Sequence, residues 1–131
     1  MDSKDRHDLP GKNRKYRESF RYAFWGVKTA FQEERNMRTH VITGLLVLVV
    51  SLFLDLTRYE WLWLILVSYL VFVMELINTV VENVVDLVTE EFHPIAKKVK
   101  DMAAAVVLVT AGFAALVGII ILLPKLLQIF I

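Results

Sequence analysis

Glu75, Asn78, Glu82 and Asp86 stand in a segment built mainly of Leu, Ile and Val. At about 100° per residue a helix places them at roughly 0°, −60°, −20° and +20°, so they form one polar stripe. An ionised carboxylate near the centre of a bilayer costs about 2.5–3.5 kcal/mol even on the lenient insertion scale, so such groups face a bundle interior or a wet cavity and usually work. The same level is expected to gather further carboxylates together with the cations that could pair with the stripe: Glu33, Glu34, Arg35 and Arg38 ahead of the first span, and Glu90, Glu91, His93, Lys97, Lys98, Lys100 and Asp101 in or after the second loop. Carboxylates with room for water suit Mg²⁺, which takes oxygen ligands and is commonly shared with substrate phosphates. Lysines beside them suit phosphate as point charges. The chemistry that fits this set is a metal–nucleotide site at a lipid interface.

The elements that must position these groups follow from the distribution of apolar residues. The chain has 131 residues, 56% of them hydrophobic, with 15 Lys+Arg against 14 Asp+Glu. Its apolar residues come in long blocks rather than at amphipathic spacing, which excludes an ordinary soluble core. Met102 to Leu123 holds no charge over 22 residues, enough at about 1.5 Å per residue to cross a hydrocarbon layer. The absence of cysteine excludes disulfide scaffolds, zinc–thiolate sites and thiol nucleophiles. An all-α membrane protein with one domain over 14–131 is expected. Its three spans fall near 37–57, 61–88 and 97–123, the last stopped by Pro124, with a charged loop over 89–101.

Charge sets the orientation. Residues 1–38 carry ten Lys/Arg, the 55–60 turn only Arg58, and the second loop Lys97, Lys98 and Lys100. The positive-inside bias places the N-terminus and second loop in the cytoplasm and the first turn and C-terminus outside, with Tyr59, Trp61 and Trp63 as outer interfacial aromatics. Ahead of the first span, Tyr16, Phe20, Phe24, Val27 and Phe31 recur at helical spacing, with Arg14, Arg17, Arg21 and Lys28 on other faces. This predicts an amphipathic surface helix over about 14–34, lying in the cytoplasmic interface. Residues 1–13 read as a solvated tail.

The five glycines, at 11, 26, 44, 112 and 118, form neither GxxxxGK[ST] nor GxGxxG, and no His–Arg–Asp catalytic loop is present. The third span is rich in Ala and Gly, which favours close helix contacts in a membrane and hence a homo-oligomer. Two readings of another class use the same features: a proton- or cation-conducting bundle lined by the stripe, and a non-catalytic scaffold recruited through the basic N-terminus.

Glu75-Leu-Ile-Asn78-Thr79-Val-Val-Glu82-Asn-Val-Val-Asp86, followed by Glu91-Phe92-His93-Pro94-Ile-Ala96-Lys97-Lys-Val-Lys100-Asp101, resembles the signature of the small bacterial diacylglycerol kinase family. The likeness runs from about Arg14 to Pro124. It implies a homotrimer of three-span protomers in the bacterial inner membrane that transfers the γ-phosphoryl group of Mg-ATP to a membrane-lipid hydroxyl, with sites shared between neighbours. By that resemblance Glu75 is the general base, and Glu34 and Glu82 bind the metal. Tyr22, Glu34, Asn78, Glu82, Asp86, Glu91, Phe92, His93, Lys100 and Asp101 contact or order the nucleotide. Lys15, Arg17, Arg38 and Glu75 serve the phosphate or lipid substrate. The His93-Pro94-Ile-Ala96-Lys97 loop and the Gly118–Lys125 ending look more like the undecaprenol kinase branch than the diacylglycerol branch, so undecaprenol is the expected acceptor and diacylglycerol the alternative.

Overall fold

The structure is a computed structural model that describes residues 16–130; the expected tail over 1–13 and Lys15 lie outside them. The described chain is four helices in sequence: α1 (Tyr16–Glu33), α2 (Arg35–Ser51), α3 (Arg58–Val88) and α4 (Pro94–Phe130). No strand occurs among the described residues.

The amphipathic helix is present as α1, and its aromatic stripe stays uncovered by the rest of the chain: Tyr16, Phe20 and Phe24 are 88, 76 and 70% exposed. A row of aromatics of that size needs another apolar phase to cover it. A single extended residue, Glu34 (φ −99°, ψ 117°), joins α1 to α2. The break is held from the far side by Arg38, whose guanidinium donates to the carbonyls of Phe31 (3.1 Å) and Gln32 (2.7 Å). A cation on the last carbonyls of a helix satisfies acceptors that have no partner within the helix and opposes the negative end of its dipole.

Three boundaries differ from the sequence expectation. Helix α2 ends at Ser51 rather than near Thr57, because Thr57 is committed to starting α3. Its backbone is extended, its hydroxyl accepts from Glu60 N (3.3 Å), and the Glu60 carboxylate accepts from Thr57 N (2.7 Å), a reciprocal capping box. The intervening chain tightens through Leu52 N to Val49 O, Phe53 N to Val50 O and Leu54 N to Ser51 O. The charged 89–101 segment is loop only as far as His93. Pro94 opens α4, placing Lys97, Lys98, Lys100 and Asp101 on helix, because proline at the first helical position loses no hydrogen bond. His93 supports that start, its Nδ1 accepting from Ile95 N at 3.2 Å. Finally, Pro124 does not stop α4, which continues to Phe130. An interior proline forfeits one backbone bond, which long apolar helices tolerate when neighbours support the turn. Lys125, next in sequence, donates to the Asp55 carbonyl (2.8 Å) and lies 3.7 Å from Glu60, tying this end of α4 to the α2–α3 turn.

Helices α3 and α4 make the most extensive pairing, and α2 leans on α3. The buried apolar residues are few: Ala30, Met37, Leu64, Val67, Val71 and Val107. Arg58–Val88 and Pro94–Ile129 are each long and apolar enough to cross a membrane, and only 6% of the most apolar window of the latter is buried. A core helix of a soluble protein would be covered by its own chain, whereas α4 leaves its apolar surface for something else to cover.

Three substitutions test this packing. Thr57→Ala should cost about 1 kcal/mol through loss of the cap, and Met37→Ala, at a side chain only 1% exposed, about 2–5 kcal/mol. Both are read by denaturant unfolding in detergent micelles. Leu108→Ala, at a residue 73% exposed, should leave the midpoint nearly unchanged in the same assay. Equal costs at Met37 and Leu108 would contradict the packing described.

Candidate active site

The stripe on α3 divides by depth. Glu75 and Asn78 are buried, at 1% and 6% exposure, Glu82 is half-buried and Asp86 is exposed. The 3.6-residue repeat puts all four on one face, and the bonds between them are local. Thr79 Oγ1 donates back to the Glu75 carbonyl at 3.0 Å, which leaves the Glu75 side chain uninvolved. Asn78 Nδ2 donates to Glu82 Oε1 at 3.1 Å and so fixes the orientation of that carboxylate. Two buried oxygens have no hydrogen-bond partner, Glu75 Oε1 and Asn78 Oδ1. Buried oxygens are satisfied in the great majority of cases, so an orphan pair on one helical turn marks a place where a proton donor or a cation belongs.

Three of the cations expected to neutralise the stripe have other attachments. Arg38 is engaged with the end of α1. Lys100 Nζ donates to Asp86 Oδ1 at 2.5 Å, tying the start of α4 to the end of α3. Lys97 pairs with Asp101 one helical turn away. Glu34 stands at the α1–α2 joint, and α2 also carries His40, half-buried and not among the residues singled out from the sequence. The signal was available, since an imidazole inside an expected span is as anomalous as a carboxylate.

Glu34 suits a ligand role for a local reason. It occupies the N-cap position of α2 but makes no side-chain capping bond, and Glu is not among the residues favoured for capping. Its carboxylate is left half-buried beside α3.

The remaining expected residues occupy the periphery. Tyr22 lies on α1 with the Arg21 guanidinium 5.4 Å from its ring centre. Arg17 is exposed on the same helix, and Glu91 and Phe92 are exposed in the α3–α4 loop. That loop is shaped by Thr89, whose hydroxyl accepts from Glu91 N (3.2 Å) and donates to Glu91 O (3.3 Å). His93 is engaged at the start of α4.

A cavity of about 620 Å³ lies between α2, α3 and α4. Its lining is apolar except near one end, where Thr39, His40, Thr43 and Ser68 gather. Val71, one turn before Glu75, also lines it. The small residues of α4, including Ala111, Ala114 and Gly118, border this space, and a Cβ added at Gly118 would meet nothing within 4 Å.

Among the described residues no three His, Asp or Glu side chains form a metal cage by themselves. Mg²⁺ does not need one, since it retains waters and takes one or two carboxylates together with substrate phosphates. Glu34 and Glu82 fit that smaller demand.

The family model described as prokaryotic diacylglycerol kinase matches residues 21–122. Undecaprenol kinase of Bacillus subtilis is 39% identical over 127 residues, covering 96% of this chain and 100% of that protein. Diacylglycerol kinase of Synechocystis is 45% identical over 114 residues, covering 86% of this chain and 65% of that protein. Diacylglycerol kinase of Escherichia coli K12 is 31% identical over 101 residues, 77% of this chain and 83% of that protein. These matches select an enzyme over a conducting bundle or a scaffold. The chain belongs to the prokaryotic diacylglycerol kinase family and is a bacterial membrane lipid kinase that draws its phosphoryl group from ATP.

Proposed function

We propose that the protein phosphorylates undecaprenol, with Glu75 as the base for the lipid hydroxyl. The observation that carries the chemistry is the buried, unpartnered Glu75 Oε1 beside an apolar cavity with a polar end. Undecaprenol is favoured over diacylglycerol because the likeness to the Bacillus enzyme extends over that protein's whole length and takes in the His93–Lys97 segment and the Gly118–Lys125 ending.

Depth along α3 fits this reading. With Trp61 at the outer boundary, Glu75 lies about 21 Å further along the helix and Glu82 about 32 Å, at 1.5 Å per residue. A hydrocarbon core is about 30 Å thick, so Glu75 falls in the inner half and Glu82 at the inner boundary. A lipid alcohol without a charged headgroup can sink to Glu75, whereas a nucleotide is held at the level of Glu82, Asp86 and Lys100.

In the reaction the lipid oxygen bonds to the γ-phosphorus and the bond from phosphorus to the β–γ bridging oxygen breaks. ADP leaves with that electron pair, and the hydroxyl proton passes to the Glu75 carboxylate. Glu34 and Glu82 would hold Mg²⁺ together with the phosphates; when bound it neutralises charge on the phosphoryl oxygens. Asn78 aims Glu82, and Asp86 positions Lys100 for phosphate. Tyr22, Glu91, Phe92, His93 and Asp101 would border the nucleotide, and Arg17, Lys15 and Arg38 the headgroup side.

The axial gap of about 10 Å between Glu75 and Glu82 argues for a site completed by a neighbour, in a homotrimer. Three spans are proposed, with α2 as the shortest; the basic N-terminal segment lies in the cytoplasm and the C-terminus outside.

The direct test is a side-by-side assay of undecaprenol and diacylglycerol with labelled ATP and Mg²⁺ in mixed micelles. The expected outcome is preferential labelling of undecaprenol, and preferential phosphatidic acid formation would reverse the substrate assignment. Glu75→Gln should lower kcat by about 10²–10⁴-fold, the range for a positioned acid–base group, with ATP affinity largely retained in equilibrium binding. Glu82→Gln should also raise the Mg²⁺ concentration needed for half-maximal rate. Parent rates in both variants would refute these roles.

A further inference from the structure

Local preference favours one helix running through α1 and α2. The segment from Ala30 to Arg38 contains no Pro and no Gly, and most of it is Ala, Gln, Glu, Arg and Met, all good helix formers. Yet the helix stops for one extended residue, Glu34. A sharp break without Pro or Gly needs a side chain inserted into the backbone ladder. That side chain is Arg38. In a continuous helix the carbonyls of Phe31 and Gln32 would accept from the N–H groups four positions on. Here both accept from Arg38 Nη1, at 3.1 and 2.7 Å, so one guanidinium nitrogen replaces the two backbone bonds that the break removes. We propose that Arg38 is a positioning residue for the divalent metal: it holds the elbow between α1 and α2, and the elbow residue is Glu34. This rests on the reading of Glu34 as a Mg²⁺ ligand.

The backbone of Glu34 is pinned on both sides. Its N–H donates to the Ala30 carbonyl (3.0 Å), and its own carbonyl accepts from Arg38 N (3.3 Å). Ala30 on one arm and Met37 on the other are buried, at 3 and 1% exposure, so both arms are seated, and α1 touches α3 as well as α2. The angle between the arms is the freedom that remains, and the Arg38 side chain closes it. Helix α1 does not supply this clamp itself, because its last turn holds no basic residue. The cation that α1 needs at the negative end of its dipole therefore comes from α2, which makes the cap and the elbow one interaction. The Glu34 carboxylate makes no capping bond, so the position of its backbone decides where it stands. Mg²⁺ demands near-octahedral geometry with oxygens at about 2.0–2.1 Å, and a ligand carried off by a turn of the elbow is lost to it. In this role Arg38 acts on the metal through Glu34 and needs no contact with a phosphate.

The test titrates Mg²⁺ at saturating ATP and lipid, in mixed micelles, for the full-length parent, Arg38→Gln, Arg38→Lys, Glu34→Gln and the double variant of Arg38→Gln with Glu34→Gln. Arg38→Gln should raise the half-saturating Mg²⁺ concentration about tenfold, the lower end for loss of a group that orients a metal ligand, and added Mg²⁺ should recover the rate. Arg38→Lys, whose ammonium can also donate to two carbonyls, should restore the parental requirement. In the Glu34→Gln background Arg38→Gln should add no further rise, because both act on one ligand. A rate lowered at every Mg²⁺ concentration with half-saturation unmoved would make Arg38 purely structural. A raised KM for ATP or lipid at saturating Mg²⁺ would make it a substrate contact, and an additive double variant would separate it from Glu34. Each of these would overturn the proposal. Should Glu34→Gln itself keep the parental Mg²⁺ requirement, the ligand reading fails; should it shift while Arg38→Gln is parental, only the role of Arg38 fails.

A second readout follows the elbow without metal or turnover. The chain has no cysteine, so spin labels at Lys28→Cys on α1 and Leu87→Cys on α3, both exposed positions, report a single distance when labelled protein is diluted into unlabelled. Parent and Arg38→Lys should give the same narrow distribution and Arg38→Gln a broadened one; an equally narrow distribution in Arg38→Gln would overturn the proposal. A glycine inserted after Glu33 loosens the elbow with Arg38 left in place, and should raise the Mg²⁺ requirement as Arg38→Gln does. A parental requirement there would overturn the proposal even if Arg38→Gln failed to fold.

Discussion

A carboxyl group 1% exposed, inside an apolar helix and with one oxygen that no protein group satisfies, is a standing cost to the folded state. Leaving a buried acceptor unmade costs about 1–3 kcal/mol, and more if it is charged. Evolution removes such costs easily, since Leu in place of Glu75 would keep the helix and relieve the penalty. That the acid stands there, and that the neighbouring Asn78 also has an orphan oxygen, means that the fold is completed by something it binds. Most other local choices in the inner half of the molecule make sense from that requirement.

The first consequence is the distribution of cations. Lys97, Lys100 and Arg38 are each held at a helix end or boundary, which fixes the frame without neutralising the buried acid. Lys125 does the same at the opposite end, with Asp55 and Glu60. Had Lys100 reached Glu75, a closed ion pair would have filled the site and left nothing for a phosphate or a hydroxyl to do. Its engagement with exposed Asp86 instead holds the lysine at the end of α3, away from the buried acid. Phosphoryl transfer depends mainly on positioning and on charges set in advance, and a frame braced at its edges with an unpaired interior supplies that.

The large features were legible in the sequence because they follow from periodicity and composition. The aromatic repeat from Tyr16 to Phe31 gave the amphipathic helix, and the charge-free run from Met102 gave the long apolar one. The four-residue polar stripe gave the face on which Glu75, Asn78 and Glu82 meet. What was not legible depends on tertiary partners or on competition between local signals. Thr57 ends α2 early because its hydroxyl and Glu60 together make a better start for α3 than a continuing helix would offer. Pro94 begins α4 despite the charges that follow it, because a first-turn proline loses nothing. Beyond Pro124 the helix is tied to the α2–α3 turn by Lys125 and the Asp55 carbonyl, a contact between residues 70 positions apart that no local pattern encodes. At the candidate site the stripe marked the acids, but hydrophobic pattern alone does not place His40 on the lining of the α2–α3–α4 cavity, because that requires knowing which face of α2 lies against α3.

The cavity between α2, α3 and α4 is the remaining argument for a lipid partner. Small residues on a membrane helix ordinarily allow close backbone approach, yet those of α4 face open space, with no atom near enough to touch a Cβ at Gly112 or Gly118. Filling that space with Leu or Phe would bury more apolar surface within the protomer, at about 25 cal/mol per Å². The chain does not take that stabilisation. On the proposed reading, the Ala and Gly of α4 leave room for a long apolar chain, and Thr39, Thr43 and Ser68 near one end of the cavity receive the hydroxyl that such a chain carries.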